Sequence, residues 1–260
     1  MNNVKIFTTL LTLILSTSVH AQFSNSASVA YEQGVQQKDG SQAKSLGFVY
    51  IPSYKINDFK FSGRFIYGYD LVNPANDSDW VDGVFNASTS KLKIFEAVKT
   101  TPSVGFELPF SKESRENRGI NYVLTTGLNL ALDTKYLEME NFNLSYGITY
   151  GYFQNDYTTR ANGEPTTQYK IIQSLVTGYN FNPISIEFVF QFASNNSYDN
   201  VFRNSFLHIE TITYTLNDTL GFSLYHYNKG SLLKAKTYEN NLKAFDEESS
   251  TFGLSMDLSF

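Results

Sequence analysis

From Phe252 to Phe260 every second residue is large and apolar, namely Phe252, Leu254, Met256, Leu258 and Phe260, while Thr251, Gly253, Ser255, Asp257 and Ser259 fill the alternate positions. A period of two sends successive side chains to opposite faces of a β-strand, so this stretch has one apolar and one polar face. The pattern returns along the chain. Phe142, Leu144, Tyr146, Ile148, Tyr150 and Tyr152 alternate with Asn143, Ser145, Gly147, Thr149 and Gly151. Ile184, Ile186, Phe188, Phe190 and Phe192 form another such face, as do Ile120, Tyr122, Leu124, Leu128, Leu130 and Leu132. Phe59, Phe61, Phe65, Tyr67, Tyr69 and Leu71 repeat it, and Val104, Phe106, Leu108 and Phe110 make a shorter version.

A soluble domain of this size would show continuous apolar core segments or helical periodicity. Here 22 Phe and 18 Tyr are dispersed through a chain of negative mean hydropathy. That combination predicts an all-β fold, a closed antiparallel transmembrane β-barrel with apolar groups outside and polar groups or water inside. A closed barrel or a helix is what crosses a bilayer with every backbone group hydrogen-bonded.

The first 21 residues read separately. Lys5 is followed by an uncharged apolar run from Ile6 to Leu15 and by small residues at Val19 and Ala21. This is the layout of a secretory signal peptide, and the run is shorter than the ~20 residues a spanning helix needs. Residues 22–260 then form one domain. Loss of residues 1–21 removes one Lys and no acid, so the formal charge of −5 becomes −6. An acidic chain argues against a nucleic-acid partner, which would require clustered Lys and Arg. The sequence has no cysteine, hence no disulfides and no thiol chemistry.

Turn-forming residues divide the chain into alternating long and short connections. The long set, expected outside the cell, is 36–42, 72–90, 111–118, 155–166, 195–203 and 229–249. The short set, expected on the inner side, is 55–58, 100–102, 134–140, 181–183 and 217–218, rich in Asn, Asp or Pro. This parity predicts about twelve strands, within a range of ten to fourteen. It leaves Glu96 on an outward face, and it puts Leu207 and Ile209 out of phase with Ile212, Tyr214 and Leu216, which predicts a bulge near Glu210. Within 229–249 two conformations are open, an extended hairpin turning at Asn240-Asn241 or a short helix with Ala235, Tyr238, Leu242 and Phe245 on one face.

The signal peptide, the alternating strands and the Phe-x-Leu-x-Met-x-Leu-x-Phe of residues 252–260 resemble bacterial outer-membrane β-barrel proteins of the porin-like class. The resemblance covers the architecture of residues 22–260 and matches no single family. It implies an outer-membrane location and the barrel-assembly machinery as a folding partner that reads Phe252, Leu254, Met256, Leu258 and Phe260. It also implies contact with outer-membrane lipid and lipopolysaccharide, which Lys112, Arg115 and Arg118 would meet. A monomer that passes small polar solutes is the expected state, with no cofactor.

The inferred lumen holds Glu32, Lys60, Arg64, Lys93, Glu107, Lys170, Glu187 and Asp257. Opposed charges across a pore tune its selectivity, and the same charges also pair and brace a wall. Of the five Arg, only Arg64 lies in this set, which argues against a pore built for acidic sugars. His208 and Glu210 share a face and are the candidate catalytic pair of an alternative reading, a lipid or peptide hydrolase. No nucleophile motif accompanies them. Asp77, Asp79 and Asp82 around Trp80 are the candidate metal ligands, of the oxygen type that Ca²⁺ prefers, without the spacing of a calcium loop. A third reading is a structural or surface-recognition barrel acting through loops 72–90 and 229–249.

Overall fold

The structure is a computed structural model that describes residues 22–260 apart from 38–39, 73–78, 90–91, 161, 234–239 and 247–248. The signal segment 1–21 and Asp77 therefore lie outside the described residues, as do Ala235 and Tyr238 of the helix alternative. The strands are β1 (Gln22–Gly34), β2 (Lys44–Ile56), β3 (Phe59–Asp70), β4 (Asp79–Thr89), β5 (Leu92–Phe95), β6 (Val98–Leu108) and β7 (Ile120–Leu132). They continue as β8 (Phe142–Asn155), β9 (Thr167–Asn180), β10 (Ile184–Ser197), β11 (Phe202–Thr215), β12 (Leu220–Ser231) and β13 (Thr251–Ser259).

Each strand pairs antiparallel with its neighbours, β1 pairs with β13, and β4 pairs with β6 to close the ring. β4 and β5 lie along successive parts of the same edge of β6, so the wall is a closed barrel of twelve strand positions. Closure removes every sheet edge. The join between β4 and β5 falls opposite Thr101 and Pro102, since β4 pairing stops at Ser103 and β5 pairing starts at Thr100. A proline, which has no N–H to give, fits at that gap. The 100–102 stretch expected as a turn is thus the interior of β6. The turn is Glu96-Ala97, which takes Glu96 off the outward face to the short-connection rim.

Two further expectations change. Connection 72–90 shrinks to 71–78, because β4 begins at Asp79. No register shift occurs in β11 near Glu210, so Leu207 and Ile209 keep their phase and point into the barrel. A bulge does occur between Ile120 and Tyr122, turning Ile120 inward, away from the face shared by Tyr122 and Leu124.

The outward face carries the apolar belt that a bilayer requires. Phe188, Leu175, Ile148, Leu124, Phe106, Phe48 and Leu254 are all exposed on it. The inward face of β6, β7 and β8 is small and polar, with Ser103, Gly105, Thr125, Gly127, Thr149 and Gly151.

Candidate channel lumen

Directly opposed residues in neighbouring strands share a face, so the registers sort the wall residues into inward and outward sets. By register Glu32, Lys60, Arg64, Glu107, Lys170, Glu187 and Asp257 share the face opposite the apolar belt. Lys93 lies in β5 opposite Lys99, and its side chain is outside the described set.

Most inward acids are engaged by neighbours. Lys170 donates to both oxygens of Glu107 at 2.8 and 3.1 Å, and its ammonium stands 5.4 Å from the Phe153 ring centroid. Phe153 joins Ile120 and Val123 in a buried apolar cluster near the long-connection end. Tyr225 and Tyr227 stack with ring centroids 6.4 Å apart, and both hydroxyls donate to Glu32, at 2.8 and 3.3 Å. Ser223 and Ser255 donate to Asp257 at 2.8 and 3.2 Å. These contacts fix the acids in the wall.

His208 and Glu210 stand elsewhere. Both point outward, beside Phe190 and Phe188 of β10, and not into the lumen. Glu210 lies 3.0 Å from His226 Nδ1 and 3.5 Å from His208 Nε2. The segment after β12 folds back over this polar patch on the outer wall. Asn228 is fully buried there, donating to the Lys243 carbonyl at 2.8 Å and accepting from Ser249 Oγ at 2.6 Å. The Phe245 and Phe252 rings cover His226, at 6.0 and 4.9 Å. Phe206, also outward, is buried under the same segment, a burial that contributes about 2 kcal/mol. His208 and Glu210 thus stand on the outer wall, with the half-exposed Glu210 carboxylate between His208 and His226. The described part of this connection bridges Leu233 to Asn240 as a short hairpin-like contact and lies on the outer wall. Sequence reasoning missed this cover. Its one trace was the phase of Leu207 and Ile209, which, taken without a bulge, puts His208 and Glu210 outside.

The acids of β4 are structural. Asp79 accepts from the Trp80 and Lys112 amides at 2.8 and 2.6 Å, and Asp82 accepts from the Ser111 amide and hydroxyl at 3.0 and 2.8 Å and from the Ser114 hydroxyl. They pin the connection after β6 to the rim. Among the described residues, which do not include Asp77, no group of acids and histidines is arranged to hold a metal. In that connection Asn117 and Arg118 hydrogen-bond Glu113 and hold its carboxyl below the usual range, with Arg160 3.8 Å away. Lys112 and Arg118, expected to face lipopolysaccharide, pair with Glu116 and Glu113 at 4.0 and 3.1 Å.

No family model and no curated protein matches the chain. Solved structures do. The NanC porin matches with a TM-score of 0.58 at 9% identity, over 90% of this chain and 98% of that one. An outer membrane channel from Pseudomonas putida F1 matches at 0.54 and 10% identity, over 94% and 97%. The KdgM porin matches at 0.53 and 8% identity, over 90% and 99%. At these identities the likeness is one of fold, and the fold is that of outer-membrane porins and channels.

Proposed function

We propose that the protein is a passive channel of a bacterial outer membrane that passes small polar solutes through the barrel. The observation that carries this reading is the incomplete burial of the inward face. A barrel plugged by its own side chains would bury them. Here Ile51, Ile66, Val176, Val189 and Ile209 point inward at mid-strand and are only half-buried. Among the described residues, buried inward apolar side chains are confined to the Ile120, Val123 and Phe153 cluster near one end. On this reading residues 1–21 are removed on export, the barrel-assembly machinery inserts the chain, and a monomer works surrounded by lipid and lipopolysaccharide.

Liposome swelling tests the reading. Vesicles carrying the folded protein should swell in small sugars and amino acids at rates that fall with solute size. Swelling no faster than in protein-free vesicles would rule it out.

A further inference from the structure

The lumen is not uniformly polar, and its charges are unevenly placed. Val49, Ile51, Ile66 and Val84 face inward on β2, β3 and β4. Val176, Val189, Leu207 and Ile209 do so on β9, β10 and β11. β3 and β10 stand six positions apart in the ring of twelve, so the two aliphatic strips oppose each other across the lumen. The small polar wall of β6 to β8 and the Ser-rich wall of β13 and β1 fill the two quadrants between. Aliphatic groups facing water in a lumen lose the transfer free energy they would gain against an apolar partner.

The charges divide in a matching way. Glu32, Glu107 and Asp257 are held by Tyr225, Lys170 and Ser223. Lys55, Lys60 and Arg64 have no ionic or hydrogen-bonding partner among the described residues, and all three are exposed. Lys55 and Lys60 sit directly opposite one another, an arrangement that repels in a sheet unless an anion stands between. Arg203 and Lys229 add inward cations on the other side, Lys229 in register with Leu207. Glu187 is the inward acid left without a partner among the described residues. Glu32 and Asp257 keep their charge, and Asp70 and Asp79 also face inward, so the feature is one of placement: Lys55, Lys60 and Arg64 cluster on β2 and β3 and focus a local positive potential along that side of the path.

We propose that the channel selects anions with an apolar body, meaning carboxylates carrying a short aliphatic or aromatic group. This rests on the channel reading and names its solute class. The body slides between the aliphatic strips, and the carboxylate passes along Arg64, Lys60 and Lys55 toward the short-connection rim. A fully hydroxylated acid gains nothing from the strips.

The test is the reversal potential of the full-length folded protein in planar bilayers. In a KCl gradient the current should favour chloride. In bi-ionic conditions hexanoate and benzoate should permeate better than gluconate by more than the ratio of their free-solution mobilities. The Lys60→Gln, Arg64→Gln double variant should lower the anion preference by about tenfold, the low end of what a focused cleft supplies. Ile51→Ser with Ile209→Ser should remove the hexanoate advantage and keep chloride selectivity. A conducting wild type that prefers potassium, or that passes gluconate as well as hexanoate, overturns this inference and leaves the channel reading standing. A folded protein with no conductance overturns the channel reading itself.

Discussion

The Tyr225 hydroxyl donates to Glu32 Oε1 at 2.8 Å, reaching from β12 over β13 to β1. It crosses at Gly253, where an added Cβ would collide with the Tyr225 ring. Three strands at the closure of the barrel are thus tied by one side chain, and Gly253 is the position that lets it lie flat.

Gly253→Ala should therefore push Tyr225 off Glu32 and destabilise the barrel by about 2 kcal/mol, the scale of a lost hydrogen bond to a charged group. Urea unfolding in detergent micelles would measure this. Gly221→Ala is the control, because its Cβ would meet neighbours at 3.5 and 3.8 Å, ordinary contact. Equal losses in the two variants would contradict the assignment.

Asn228 should hold the last long connection to the outer wall. Asn228→Ala removes the bonds to Lys243 and Ser249 and leaves the facing groups unpaired. Local opening should become easier by about 2 kcal/mol. Trypsin cleavage after Lys243 should speed up by roughly thirtyfold, which is that free energy expressed as an equilibrium factor. Unchanged cleavage would mean that the connection is held in another way.

Much of the wall was legible in the sequence, and the misreadings have physical causes. β8 and β10 alternate cleanly because one face of each strand lines the barrel interior and the other its outer surface. β4 looked like a loop because Asp79 and Asp82 sit in its first turns of pleat, where they serve a distant segment. β11 misled more seriously. Its outward His208 and Glu210 are paired with each other and with His226, which Phe245 and Phe252 cover, and periodicity sees only near neighbours. The engaged state of the inward acids was equally invisible, since Tyr225 and Glu32 are 193 residues apart.

The depressed carboxyl of Glu113 sets a pH dependence for the connection that carries it. Its folded pKa lies below the ordinary value of 4.5, so its contribution is fully present above that value and is lost as pH falls through the lower folded pKa. The group is exposed, so the effect is local and small. The protection of the peptide spanning 113–118, measured against the intrinsic exchange rate at each pH, should fall below that window in the wild type. In Glu113→Gln the protection should be lowered already at neutral pH, with no further step. A step that survives the substitution would assign the effect to another group.

Glu107→Gln should release Lys170 into the lumen while the barrel stays folded. The pair is about one-fifth exposed on each side, at 17% and 20%, so the loss in stability should stay near 1 kcal/mol. Anion preference in a KCl gradient should rise, because a neutralised cation becomes free. A fall would show that Glu107 itself attracts the permeant ion.

Single-channel recording tests the central claim, an open lumen, most directly. Purified protein, folded as judged by β-sheet circular dichroism and heat-modifiable gel mobility, should give discrete and reproducible current steps in planar bilayers. Folded protein that inserts into the bilayer and yields no steps would contradict the account.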